Sequence, residues 1–184
     1  LLSRVCSDPI SLAASGTCTD IIAPLALSAR RVIVLALGTA EALDALSLAR
    51  AGGALAAHLE SKGIGEATLV LDPVVGASLS EAEILARVAL GVRLRRYRFD
   101  LRNKRPVAEA DQAWRQELVG ASKADLTAAL TRANAVADGV DYARTLVNLP
   151  PNHIHPDNFA IHLEALREAG IEVEILDAAR LKEL

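Results

Sequence analysis

The densest set of side chains that could do chemistry is a basic run between positions 93 and 105. Its seven basic residues are interrupted by one acid, Asp100, and two aromatic residues, Tyr97 and Phe99. Arginine can pair with nucleic-acid phosphates while aromatic rings stack on bases, so the run fits DNA binding. Leu94, Tyr97 and Phe99 fit core contacts equally well, with the charged groups as a solvated rim, and we favour this second interpretation. The basic residues are Arg93, Arg95, Arg96, Arg98, Arg102, Lys104 and Arg105.

Four histidines are the next candidates. His153 and His155 stand two positions apart, and two imidazoles could hold zinc if a third ligand approached. Prolines on both sides indicate an extended linker, and no H-E-x-x-H or paired C-x-x-C motif accompanies the pair. We therefore expect loop histidines, and we expect His58 and His162 on partly exposed helix faces rather than as catalytic bases.

The remaining motifs do not form a site. Gly63-Ile-Gly65 resembles the start of a dinucleotide fingerprint, but it follows a predicted helix and precedes a predicted strand, which is the wrong order. Neither a G-x-S-x-G elbow nor a Walker loop occurs. Cys6 and Cys18 are too few for a disulfide framework and are expected to be reduced structural thiols. The residues alone predict no catalytic group and no metal ligand.

Composition narrows the class of protein. The chain has 184 residues, of which 52% are hydrophobic, and a formal net charge of -3. Charged residues or glycine interrupt each apolar run before the ~18 residues of a membrane span, and no secretory signal is visible. We expect a cytoplasmic protein without a global attraction to nucleic acid. The sequence lacks methionine and ends in a helical pattern, which suggests a fragment.

The hydrophobic pattern predicts alternating strands and helices in the first half of the chain. A buried strand is expected over 31–37, then a helix with Leu48, Gly52, Leu55 and Leu59 on one face, then a strand over 67–72. Such a βαβ unit predicts that the two strands pair in parallel. Ser80 and Glu83 fit a capping box that starts a second helix.

The second half predicts a long helix and a new αβ unit. The helix runs from about Asp125 to Val147, and Pro150-Pro151 should stop it. A short helix and a strand with Ile171, Val173 and Ile175 on one face should follow. Because about 35 residues cannot bury a core alone, we expect this tail to be mobile or to pack on other chain.

A family resemblance is carried by the end of the long predicted helix. The segment reads Tyr142-Ala-Arg-Thr-Leu-Val-Asn-Leu-Pro-Pro-Asn-His-Ile-His-Pro156. It resembles the junction of leucyl (cytosol) aminopeptidases, where a long helix ends in an Asn-x-Pro-Pro-Asn motif. Here that motif consists of Asn148, Pro150, Pro151 and Asn152. Residues 31–39, 51–57, 89–92 and 97–100 are similar to the family's N-terminal domain, so the resemblance covers most of the chain.

The resemblance implies a metal-dependent aminopeptidase that removes N-terminal residues, preferably leucine, from peptides. In the family, two divalent ions, manganese or zinc, are held in the C-terminal domain by K-G-x-x-F-D-S-G-G-like and N-T-D-A-E-G-R-like segments. Neither segment occurs in this chain. We therefore assign it no catalytic or metal residue and expect it to be inactive and metal-free alone. The implied partners are the missing catalytic domain, further copies in a hexamer and a peptide substrate, but no membrane.

The implied fold is α/β. Residues 1–130 would form a macro-like, three-layer α/β/α domain with a mixed, mostly parallel sheet, which helps to pack the oligomer and shapes access to active sites. Residues 131–150 would be the connector helix with its Pro-Pro junction, and 151–184 the first helix-strand unit of the catalytic domain. Two alternatives remain: a macro-like module that binds a nucleotide or ADP-ribose, and DNA binding through Arg93–Arg105. The predicted turns lack a dense glycine loop, which disfavours the nucleotide module.

Overall fold

The computed structural model describes residues 14–25, 28–99, 101 and 115–183. These residues form a mixed α/β structure, which confirms the predicted class. The strands are β1 (Cys18–Ile22), β2 (Arg31–Leu35), β3 (Glu66–Val70) and β4 (Arg115–Val119). The helices are α1 (Ala45–Ser61), α2 (Glu81–Arg96), α3 (Lys123–Asn148) and α4 (Pro156–Glu164). Short 3-10 helices cover Ala40–Ala42, Ala165–Ala169 and Arg180–Lys182.

Strand pairing differs from the sequence-based prediction. Strands β1 and β2 form an antiparallel pair, whereas β3 and β4 form a parallel pair. The predicted βαβ unit of the strands at Arg31 and Ala67 is therefore wrong for the described residues, because β2 and β3 lie in separate two-stranded sheets. The crossover unit is instead β3-α2-β4, and it was missed because Arg-Gln-Glu-Leu-Val lacks the apolar pattern of a buried strand. The mixed character is present, but a parallel majority is not seen.

Helices α1 and α2 pack at very close range through two glycines. A Cβ atom at Gly52 would lie 2.0 Å from the carbonyl oxygen of Val88, and one at Gly91 would lie 1.9 Å from that of Ala49. Around this contact the two helices bury one cluster, against which partly buried residues of β2 and β3 pack. Its members are Leu43, Leu48, Leu55, Ala56, Leu59, Ile84, Val88 and Val92.

The opposite face of α2 packs against α3. Here Ala82, Ala86 and Leu90 meet a stripe of small residues on α3, formed by Ala129, Ala133 and Ala137. The long predicted helix is thus confirmed, as are two members of its predicted buried face, Ala133 and Ala137. The larger apolar residues predicted beside them are only partly buried, because alanine is what permits the close approach of the two helices.

The chain divides into two compact units between Asp141 and Tyr142, inside α3. In the second unit, the hydroxyl of Tyr142 donates to the carbonyl oxygen of His162 at 2.5 Å. The predicted strand at 171–175 is wrong, because that stretch has no strand conformation and no partner strand among the described residues. Helix α4 and the two short helices after it contain no buried residue. The predicted domain boundaries, 1–130, 131–150 and 151–184, stay a prediction. The predicted mobility of the tail after Pro150 also stays a prediction.

Candidate functional site

One polar group of the first unit is an Asp20-centred cluster, formed by Asp20, Arg31 and His58. Strand β1 supplies Asp20, the neighbouring strand β2 supplies Arg31, and the last turn of α1 supplies His58. Arg31 Nη1 donates to Asp20 Oδ1 at 3.0 Å, and His58 Nε2 lies 2.9 Å from Asp20 Oδ2. The side chains are only 21 to 29% exposed. One carboxylate therefore links three elements through both of its oxygens.

Electrostatics keeps this carboxylate ionised. Burial alone would raise the pKa of Asp20, but hydrogen bonds from Arg31 and His58, together with their charges, outweigh burial and hold the pKa below its usual value. A carboxylate whose pKa lies below its usual value is a weak base. Because both oxygens are engaged, Asp20 cross-links the three elements.

The thiol of Cys18 lies close to the Asp20-centred cluster along the chain, but it is not activated as a nucleophile. A histidine held by an aspartate can activate a thiol or hydroxyl, and Cys18 lies two residues from Asp20 on the same strand. However, burial, and then the charge of Asp20, raise the pKa of the Cys18 thiol, so the protonated, unreactive form is favoured. Its sulfur instead contacts the carbonyl oxygen of Gly16 at 3.7 Å. Cys18 thus fits the predicted structural thiol.

The Asp20-centred cluster is not predictable from motifs, because its members lie far apart in the chain. Asp20 and His58 are 38 positions apart, and neither belongs to a motif. One weak signal was available. In Cys-Thr-Asp-Ile-Ile, period-2 alternation places Asp20 on the same face as Cys18, which lies against the core. A charged residue on an inward face requires hydrogen-bonding partners. For Asp20 these partners are Arg31 and His58.

Two described arginines of the basic run form ion pairs with carboxylates of this chain. Arg93 pairs with Asp138 and, at 3.7 Å, with Asp141, both on α3. Arg98 pairs with Glu60 at 3.1 Å. Arg95 is exposed and Arg96 half-buried, in the last turn of α2, where cations stabilise the carbonyl end of a helix.

The other members of the run, Arg102, Lys104 and Arg105, lie outside the described residues, as does Asp100. Leu94, Tyr97 and Phe99 are half-buried, as expected for a rim of charge around core contacts. Nucleic-acid contact through this run stays a prediction.

The two linker histidines do not come together with further metal ligands. His153 and His155 are exposed, and His155 Nδ1 lies 3.9 Å from Asp157 Oδ2. Across the described ranges, His, Cys, Asp and Glu side chains form no group of three that could hold a metal ion. His162 is half-buried, and its carbonyl oxygen accepts the Tyr142 hydrogen bond.

The predicted junction motif is a turn that ends α3. Asn148 is the last helical residue, and Pro150 cannot continue the helix because it has no N–H. The carbonyl oxygen of Pro150 accepts hydrogen bonds from the N–H groups of His153 and Ile154, at 2.8 and 3.2 Å. Pro151 and Asn152 are exposed in this turn. A role for the motif beyond this geometry stays a prediction.

One cleft of about 350 Å³ lies between the first turns of α2 and α3. Its polar lining includes Ser80, Glu83, Ser122 and Asp125. The hydroxyl and carboxylate at each helix start are already hydrogen-bonded to each other and to backbone N–H groups. Arg132 also lines the cleft, so its surface combines capping groups, carboxylates and one cation.

Comparison with known proteins agrees with the fold. Residues 1–106 match the family model described as the N-terminal domain of the cytosol aminopeptidase family. This chain belongs to the cytosol aminopeptidase family. It is 35% identical over 173 residues to a probable cytosol aminopeptidase of Nitrobacter winogradskyi, covering 92% of this chain and 34% of that protein. A probable cytosol aminopeptidase of Xanthobacter autotrophicus is 39% identical over 164 residues, covering 88% and 32%. The chain spans about a third of the length of the curated relatives it matches.

Two solved structures resemble the chain over nearly its whole length. A tomato leucine aminopeptidase mutant has a TM-score of 0.75 and 25% identity, covering 100% of this chain and 36% of that one. The bottromycin maturation enzyme BotP in complex with Mn has a TM-score of 0.66 and 26% identity, covering 99% and 36%. These findings confirm the predicted family resemblance. Separately, no helix in the described part is long and apolar enough to cross a membrane.

Proposed function

We propose that this chain is the N-terminal, non-catalytic part of a metal-dependent leucyl aminopeptidase of the cytoplasm. The observation that carries the proposal is the family match over residues 1–106, together with relatives named cytosol aminopeptidase that are about three times as long. The parent protein would hydrolyse N-terminal residues, preferably leucine, from peptides. The part described here would help to pack a hexamer and shape access to active sites in the catalytic domain.

The donor groups of the chain do not fit the metal centre of such an enzyme. Two divalent ions, manganese or zinc, are implied for the parent, and the similar BotP structure holds Mn. In the described residues, potential ligands form no group of three, and the two oxygens of Asp20 are already used. We assign the metal, and the chemistry that depends on it, to the part of the parent protein that this chain does not cover.

The experiment is release of a chromogenic amine from a leucyl anilide, with added manganese or zinc. The purified 184-residue chain is compared with the full-length product of its gene. Hydrolysis is expected only in the longer protein. Hydrolysis by the shorter chain would contradict the proposal, and loss of that hydrolysis in His153→Ala or His155→Ala would locate the unexpected site in the linker.

A second measurement tests the role in oligomer assembly separately from peptide hydrolysis. The longer product without residues 1–130 is examined by sedimentation velocity beside the intact product. We expect removal of these residues to reduce the oligomer size. An unchanged hexamer would contradict the packing role while leaving the assignment of catalysis intact.

A further inference from the structure

We propose that Asp20 is an acid-sensitive latch, which holds the β1–β2 hairpin against helix α1. The carboxylate sits on β1, and its two oxygens contact different elements. One accepts from Arg31 within the hairpin at 3.0 Å, and the other contacts His58 on α1 at 2.9 Å. The first contact fixes the direction of the carboxylate. The second contact joins the hairpin to the helix.

Apolar contacts also attach the hairpin, and the residues that make them are incompletely buried. Cys18, Ile33 and Leu35 pack against the core of α1 and α2 but are only partly buried. At its far end the hairpin exposes Ile22, whose relative exposure is 70%. Because half-buried apolar contacts contribute less than fully buried ones, a charge-assisted link is a substantial share of what holds the hairpin in place.

Strands β1 and β2 and helix α1 each place a charged or titratable group near the Asp20 carboxylate. These groups are the Cys18 thiol on β1, the Arg31 guanidinium on β2 and the His58 imidazole on α1. Glu60, also on α1, is paired with Arg98 instead. Protonation of Asp20 would remove the negative charge that Arg31 and His58 contact, and it would leave the Arg31 guanidinium half-buried without its counter-ion.

The pH range of release follows from the direction of the shift. The pKa of Asp20 is below its usual value, which for aspartate is about 3.9. A carboxylate with a depressed pKa stabilises the fold fully above the unfolded-state value, and that stabilisation is lost as the pH falls through the folded-state value. The latch is therefore closed at neutral pH; it begins to weaken as the pH falls below about 4 and opens as the pH falls through the lower folded-state pKa.

Native-state hydrogen exchange tests the proposal, because it separates local opening from global unfolding. In the 184-residue chain at pH 7, Asp20→Asn is expected to speed exchange of the β1 and β2 amides about tenfold, a loss of roughly 1.4 kcal/mol. The α1 and α2 amides should not change. Wild-type chain titrated stepwise below about pH 4 should approach the same pattern, after correction for intrinsic rates, as the pH falls through the folded-state pKa of Asp20.

Asp44→Asn is the matched control, because Asp44 also has a lowered pKa, caused first by a hydrogen bond from the Ser47 backbone N–H. It lies at the start of α1 and should leave hairpin exchange unchanged. Labelling of Cys18 in a Cys6→Ser background gives a second readout and should accelerate in Asp20→Asn. An equal rise in all protected amides, or no rise in the hairpin, would overturn the proposal. If Asp20→Asn does not fold, His58→Gln and the wild-type pH series decide between these outcomes.

Discussion

At the scale of single residues, Gly91 is a position that cannot accept a side chain unless the backbone moves. Its missing side chain lets α2 approach α1 so closely that a Cβ atom would lie 1.9 Å from the Ala49 carbonyl oxygen. The obstructing atom belongs to the backbone, so no side-chain rotation relieves the clash. We predict that Gly91→Ala lowers the free energy of unfolding by about 3 kcal/mol, at the upper end of overpacking costs. Chemical denaturation of both proteins measures this.

Gly53→Ala is the control for Gly91→Ala. A Cβ atom at Gly53 would meet only the Gly91 carbonyl oxygen, at an ordinary 3.8 Å. Since alanine favours helix over glycine, this variant should be neutral or more stable by up to ~1 kcal/mol. Equal losses for the two variants would show that α1 and α2 do not pack through their glycines.

Residue-scale features were recovered from sequence only where they were local. The capping box of Ser80 and Glu83 is confirmed, because both residues lie within one turn of the same helix. The contact between Asp20 and His58 was not predicted, since it depends on how a strand and a helix far apart in the chain come together. Local hydrogen bonds follow from spacing, whereas ion pairs between elements follow from the tertiary fold.

At the scale of elements, the start of α2 depends on its cap. Ser80 Oγ accepts from the Glu83 backbone N–H at 3.3 Å, and Glu83 accepts from the Ser80 N–H at 3.1 Å. We predict that Ser80→Ala lowers the free energy of unfolding by about 1 kcal/mol at pH 7. Ser78→Ala, at an exposed position just before the cap, should change it by less than about 0.5 kcal/mol.

The cap also predicts a pH dependence. Hydrogen bonds from the backbone and then the hydroxyl of Ser80 hold the pKa of Glu83 below its usual value. The stabilisation is present above the unfolded-state pKa of about 4.3 and is lost as the pH falls through the lower folded-state value. The cost of Ser80→Ala should therefore shrink between pH 7 and pH 3. A cost that does not vary with pH would mean that the Glu83 charge does not contribute to the cap.

Helices were predicted better than strands for a physical reason. The apolar faces of α1 and α2 recur at helical spacing, and the buried residues Leu48, Gly52, Leu55 and Leu59 match the prediction for α1. Strand β4 begins with three polar residues and is held mainly by pairing with β3. Pairing partners are not encoded in the short-range pattern. At 171–175 the sequence does alternate between apolar and charged residues, as in a strand. No strand forms there, because the described residues supply no partner strand.

At the scale of the whole molecule, the two units differ in how they are held together. Both buried clusters lie between Leu43 and Ala137, entirely inside the first unit. In the second unit, Phe159, Ile161, Ile171 and Leu181 are exposed, and α4 buries no residue. Among its described residues the second unit thus buries none, which agrees with the proposal that it belongs to a domain whose remainder lies outside this chain.

Truncation tests this division of stability. A chain that ends at Asp141 keeps every residue of both clusters as well as the partners of Arg93. We predict that its free energy of unfolding, measured by urea denaturation, stays within about 0.5 kcal/mol of that of the 184-residue chain. A chain that ends at Gly120 loses α3 and uncovers Ala82, Ala86 and Leu90. This second truncation should cost about 5 kcal/mol, because each buried methyl or methylene group contributes roughly 0.8 kcal/mol. If the first truncation proved as costly as the second, residues 142–184 would have to stabilise the first unit directly, and their proposed place in a separate domain would be wrong.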